Sequence, residues 1–179
     1  MERIIIEQSK ELNGEVIISG SKNSSLPILA ATILYGGTYK LSNVPNISDV
    51  RTMLKLIESL GGKYSFENNE VVVDSSEISH YEAPYELVKT MRASVVVWGS
   101  LLGRFGKAKI SFPGGCAIGD RPVDQHIKGF ESIGYSTKIN NGYLETKKIT
   151  SIGGEHSFDL KSVTGCENVI LASILGDKK

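Results

Sequence analysis

Several features are scarce in this chain of 179 residues, and each shortage excludes something. Two cysteines, Cys116 and Cys166, are too few for a disulfide framework, so free thiols in a reducing, cytoplasmic setting are expected. A single bridge between them stays open on sequence alone, though a reducing compartment disfavours it. Neither charge is in excess: twenty basic residues balance twenty acidic ones. That removes the electrostatic footprint of a nucleic-acid or membrane-surface binder, and neither partner is expected. An anionic ligand must then be held by local geometry. No apolar run approaches ~18 residues, so no membrane-spanning helix is expected. The opening MERIIIEQSKELNGEVIISG carries acidic charges and only short apolar runs, unlike a secretory leader. The histidines, His80, His126 and His156, are scattered, and no Cys/His spacing fits zinc. With no Walker-type loop and no dinucleotide glycine pattern, the expectation is no metal and no cofactor.

What is present is a repeat. The strings ATIL at 31–34, GSLL at 99–102 and ASIL at 172–175 recur at spacings of 68 and 73 residues. ESLGGKYSFENNEVVVD, starting at Glu58, and ESIGYSTKINNGYLETK, starting at Glu131, both read as helix end, glycine stop, strand, asparagine turn, strand. The first unit opens with a strand over 15–19. A helix follows, capped by Asn23 or Ser24, with Pro27 in its first turn and Leu26, Leu29, Ala30 and Ile33 on its apolar face. Gly36 and Gly37 end it, and 38–42 alternate like a strand. Ser48 caps a second helix with Val50, Met53, Leu54, Ile57 and Leu60 on one face and Gly61 as its stop. A hairpin then turns at Asn68-Asn69, giving β-α-β-α-β-β.

The second unit repeats the pattern. It has a helix over 85–102, a strand over 108–112, and a helix begun by Pro122 with Val123, Ile127, Phe130 and Ile133 inward. Gly134 is its stop, and a hairpin turns at Asn140-Asn141-Gly142. A third unit starts near Ser162, supplies one helix and goes no further. The fold class is therefore α/β (α+β), built of repeated units of which the third is incomplete. Either the chain is part of a longer protein, or it is a shortened form whose core closes by self-association or with a completing chain.

Four segments place donors at helix starts. In FPGGCAIGDRPVDQHI, over 112–127, glycines surround Cys116, and Arg121 stands just before a helix. An arginine at a helix N-terminus is a natural seat for phosphate or carboxylate, and the same positive field favours thiolate at Cys116. The plainer alternative is a crossover loop with an inert thiol. Lys22 and Asn23 precede another helix, where simple capping is the competing account. Arg92 sits among Met91, Val95, Val96 and Trp98, where it needs a partner, a ligand or a path to water. Ser162, Val163 and Thr164 open the last helix, and Cys166 behind them is expected to pack.

The stretches SGSKNSSLPILAATIL, APYELVKTMRASVVVWGSLLGRFG, PGGCAIGDRPVDQHIKGFESIG and SVTGCENVILAS resemble the UDP-N-acetylglucosamine enolpyruvyl transferases, over nearly the whole chain but only an amino-terminal part of the family. The resemblance implies an inside-out α/β barrel of β-α-β-α-β-β units. It implies transfer of the enolpyruvyl group of phosphoenolpyruvate to the 3-hydroxyl of UDP-N-acetylglucosamine with release of phosphate, the first committed step of peptidoglycan synthesis. Residues 1–21 would then be strands of a second domain, and 22–179 a first domain truncated in its third repeat. Carried over by motif, Lys22 and Arg121 hold phosphoenolpyruvate, Asn23 holds the UDP-sugar, and Arg92 lies near its phosphates or the sugar. Cys116 is the loop thiol that donates a proton or forms an adduct, and the target of fosfomycin. Pro122, Val123, Asp124 and Gln125 line the uridine; Ser162, Val163 and Thr164 meet the diphosphate. The family's catalytic carboxylate and further arginines come from the second domain. Two alternatives are a non-catalytic UDP-sugar-binding or regulatory homologue and a shikimate-type transferase, the latter disfavoured by the cysteine loop.

A thiol activated by Arg121 and a helix start alkylates with a pH midpoint below the ordinary value of about 8.5. The alkylation rate at Cys116, followed against pH by mass spectrometry, is expected to show that lowered midpoint; an ordinary thiol profile would contradict it.

Overall fold

The computed structural model describes residues 3–8, 11–112 and 123–176. Helix α1 spans Lys22–Ala31 and is capped by Ser21, whose hydroxyl accepts from the Ser24 amide at 3.4 Å, so the cap lies ahead of the expected Asn23 or Ser24. Pro27 falls inside the helix rather than in its first turn, and the helix ends at Thr32 rather than at Gly36. Leu26, Leu29, Ala30 and Ile33 are buried as expected. Strand β1 (Thr38–Leu41) leads to α2 (Ser48–Ser59), in which Ser48 is the first helical residue and not the cap. Strands β2 (Lys63–Glu67) and β3 (Glu70–Asp74) form the expected hairpin. Its turn residues Asn68 and Asn69 have φ of 48° and 61°, the left-handed geometry that a tight two-residue turn requires and asparagine tolerates.

The second unit contains strand β4 (Glu82–Ala83), which the sequence pattern did not reveal. The helix expected over 85–102 is broken into α3 (Tyr85–Val88), a 3-10 turn (Arg92–Val96) and α4 (Val97–Phe105). Met91 between them is extended. At the break the Thr90 hydroxyl bonds back to the Leu87 carbonyl at 2.8 Å and the Ser94 hydroxyl reaches across to the Val88 carbonyl at 3.0 Å. Both compete with the helical ladder. Strand β5 (Lys107–Ser111), helix α5 (Asp124–Ser132), strands β6 (Tyr135–Asn140) and β7 (Tyr143–Lys148), and helix α6 (Val163–Ser173) complete the order. The β6–β7 turn uses Asn141 and Gly142, at φ of 47° and 79°.

The sheets run β1-β3-β2 and β4-β5-β7-β6. Each unit's hairpin is antiparallel to the strand before it, and β4 adds to β5 in parallel. The strand expected over 15–19 is not formed: these residues carry no strand, and Val16, Ile17 and Ile18 are 79%, 96% and 80% exposed. In the second unit β4 has β5 beside it; residues 15–19 have no such neighbour among the described residues, so their backbone groups stay with solvent.

Helix α4 lies at the centre, with Val97, Trp98, Leu101 and Leu102 fully buried. The Trp98 indole donates to the Thr146 hydroxyl at 3.0 Å and meets Phe130 edge-on at 4.8 Å. The Arg104 guanidinium ties the two units together by donating to the Ile33 and Ser75 carbonyls at 2.9 and 3.1 Å. Helices α4 and α6 approach each other closely. A methyl group at Gly99 would stand 2.3 Å from the Asn168 carbonyl oxygen, and one at Gly103 would stand 2.5 Å from that of Leu171. Asn168, fully buried, then satisfies every group on its amide. Its oxygen accepts from the Gly99 amide at 2.6 Å, and its nitrogen donates to the Val95 and Thr164 carbonyls at 3.1 and 3.0 Å.

Replacing Asn168→Ala strands buried partners and is expected to cost about 2–3 kcal/mol of unfolding free energy. Gly99→Ala forces the helices apart and is expected to cost about 1–3 kcal/mol. Urea unfolding of both variants checks this; values within experimental error of the parent would contradict the junction.

Candidate functional site

The starts of α1, α5 and α6 and of the 3-10 turn face one open cleft of about 730 Å³. Of the residues singled out from the sequence, Lys22, Asn23, Arg92, Asp124, Gln125, Ser162, Val163 and Thr164 line it. Val123 is buried beneath it at the start of α5 and does not line it. Cys116, Arg121 and Pro122 lie outside the described residues. Neither α1 nor α6 carries an acidic residue in its first turn, so no carboxylate of their own occupies the positive ends of these helices. α5 does carry one, Asp124.

Each side chain is placed by its own local chemistry. Ser162 caps α6 by accepting from the Gly165 amide at 3.1 Å, which leaves Val163 77% exposed at the cleft. Thr164 shares a hydrogen bond with His126 Nε2 at 3.1 Å. Gln125 is buried, and its amide is spent on the chain: it donates to Asp124 at 3.0 Å and accepts from the Asp159 amide at 3.1 Å. It thus clasps the segment before α6 to the start of α5. Lys22 is held by Asp49 at 2.9 Å. That pair is half in solvent, and such pairs are worth at most about 1 kcal/mol, so an arriving anion competes for the ammonium at little cost.

His126 was visible in the sequence only as one scattered histidine, yet it is 1% exposed at the cleft floor. Its ring lies parallel to Trp98 at 6.4 Å. Burial, with the Arg92 charge as the second cause, pushes its pKa down to about 4. The imidazole is therefore neutral at pH 7. Asp49 and Lys161 also line the cleft and were missed. Lys161 stood one position before the Ser162 motif, a nearby signal; Asp49 is brought in only by the packing of α2 on α1, which no local pattern shows. Cys166, expected to pack, is exposed and free, because it falls on the outer face of α6 while Gly165 and Asn168 take the inner one. Among the described residues no group of His, Cys, Asp and Glu is arranged to hold a metal ion. No helix among them is long and apolar enough to cross a membrane.

A profile of the family described as EPSP synthase (3-phosphoshikimate 1-carboxyvinyltransferase) matches residues 6–178. The chain belongs to this family. Curated relatives named UDP-N-acetylglucosamine 1-carboxyvinyltransferase share 51% identity over 178 residues in Dichelobacter nodosus and 49% over 181 residues in Cellvibrio japonicus. These alignments cover 99% and 100% of this chain but only 42% and 43% of the relatives. The chain thus spans less than half their length. Among solved structures, the enolpyruvyl transferase NikO from Streptomyces tendae superposes with a TM-score of 0.71 at 18% identity, over 92% of this chain and 38% of that one. EPSP synthase from Acinetobacter baumannii gives 0.69 at 15%, over 89% and 37%. These two establish the enolpyruvyl-transferase fold, and the repeated α/β units agree with it.

The depressed His126 pKa has a signed consequence. Between about 6.5 and 4 the unfolded chain binds a proton that the folded chain refuses, so this contribution is full above 6.5 and is lost as pH falls toward 4. The loss is on the order of 3 kcal/mol. In His126→Gln the fall over that window is expected to flatten. Chemical denaturation at several pH values checks this; an unchanged slope, or an imidazole titrating near 6.5 by NMR, would contradict it.

Proposed function

We propose that this chain supplies one wall of the substrate cleft of a UDP-N-acetylglucosamine 1-carboxyvinyltransferase. The observation that carries the reading is the gathering of eight motif residues, distant in sequence, onto one cleft in a chain half identical to enzymes of that name. In the proposed reaction the sugar 3-hydroxyl adds to C2 of phosphoenolpyruvate while the methylene carbon takes a proton. The resulting ketal then loses that carbon's proton and expels phosphate, leaving the enolpyruvyl ether. Lys22 and Arg121 hold the phosphoenolpyruvate charges, and Cys116 delivers the proton or forms an adduct. Asn23 and Arg92 meet the UDP-sugar. The α6 start, Ser162 to Thr164, offers its backbone donors to the diphosphate, while Pro122 to Gln125 border the uridine. Neutral His126 beneath the diphosphate adds no charge but fixes the Thr164 hydroxyl.

On this reading residues 1–21 belong to a second domain that also brings a base and further cations, and the reaction is cytoplasmic and part of peptidoglycan synthesis. Because the chain spans less than half the length of its relatives, the second reading is a UDP-sugar-binding homologue without turnover.

Calorimetry tests the assignment, and phosphate release tests the need for a second domain. The chain is expected to bind UDP-N-acetylglucosamine, Arg92→Gln to weaken binding about tenfold, and phosphate release from phosphoenolpyruvate to stay at background. Absence of UDP-sugar binding would contradict the assignment. Steady turnover by this chain alone would contradict the need for a second domain.

A further inference from the structure

The two repeats provide an internal comparison. Glu58 to Asp74 and Glu131 to Lys147 correspond residue for residue, and strand register extends the match to β1 and β5. In the first sheet one rung on the outer face reads Thr38, Asp74, Lys63. It is neutral, and the Asp74 carboxylate is held ionised chiefly by the Ser76 amide, with Lys63 adding to it. The same rung of the second sheet reads Lys107, Lys147, Ser136. A lysine replaces the central carboxylate, and a second lysine stands directly opposite it. Like charges facing across a strand pair oppose the sheet, and the first repeat shows that the fold does not need them.

The neighbouring rung does not neutralise them. It reads Glu82, Lys109, Glu145, Lys138, an alternation that balances itself, with Lys109 on Glu82 at 2.9 Å. Among the described residues neither Lys107 nor Lys147 forms an ion pair of this kind. Lys107, Lys147 and Ser136 face one open concavity of about 470 Å³, with the Tyr81 ring 4.1 Å from the Lys107 ammonium. The volume falls within the range of small-ligand sites. None of its lining residues lines the cleft described above.

We propose that this rung binds the phosphate group of a small anionic molecule, between the Lys107 and Lys147 ammonium groups and the Ser136 hydroxyl. Ammonium groups are point-charge donors suited to a multiply charged tetrahedral oxyanion. The Tyr81 ring offers a wall for the rest of the molecule. The bound anion restores the charge balance that Asp74 gives the first repeat.

The test uses the isotopically labelled full chain with pyrophosphate as probe, at ionic strength held constant with chloride. Saturable NMR shifts are expected at the Lys107, Ser136 and Lys147 amides. They are expected to need about tenfold more pyrophosphate in Lys147→Asp, which restores the central carboxylate and the neutrality of the first repeat's rung, and in the milder Lys147→Ser. These amides report on the sheet alone, so pyrophosphate in the cleft does not confuse the result. Absence of shifts there, or shifts indifferent to both variants, would overturn the proposal. So would shifts induced by a polyglutamate peptide and not by pyrophosphate, which would make the face a docking surface for an acidic protein.

Discussion

The close approach of α4 and α6 governs the geometry of the cleft. Two glycines on α4 let the backbones meet at a distance no side chain permits, and the buried Asn168 amide fills the hydrogen-bonding gap. The same amide donates to the Thr164 carbonyl in the first turn of α6 and to Val95 in the 3-10 turn that begins at Arg92. One side chain therefore fixes two borders of the cleft relative to each other. His126 fixes the third by holding the Thr164 hydroxyl from α5. The site is a by-product of how the helices must pack, and its geometry is as firm as that packing.

The electrostatics are arranged differently. At the cleft, Lys22 leans on Asp49 in a half-solvated contact that an anion can displace. The helix starts of α1 and α6 carry no carboxylate of their own. A chain with no overall charge excess thereby presents the positive ends of two helices at one cleft.

The repeat, both hairpin turns and the inward faces of α2 and α5 were legible because each obeys a short-range rule: alternation, 3.6-residue spacing, asparagine at positive φ. The broken helix over 85–102 was not, because Val88, Met91, Val95, Trp98 and Leu102 keep helical spacing across the break, and the Thr90 and Ser94 back-bonds that compete with the ladder form only in the folded chain. Strand β4 is two residues long and exists only through its pairing with β5, and the strand expected over 15–19 has no such pairing among the described residues. In the site, the residues at helix starts could be found from capping logic. Asp49 and the burial of His126 could not, since both depend on contacts between elements distant in sequence.

The central claim is that separate helix starts act together on one UDP-sugar. Amide hydrogen exchange with and without UDP-N-acetylglucosamine tests it most directly. The account predicts simultaneous protection at Asn23–Ser24, at Ala93–Ser94 and at Val163–Gly165. Protection confined to one of these segments, or absent from all three at saturating ligand, would contradict it.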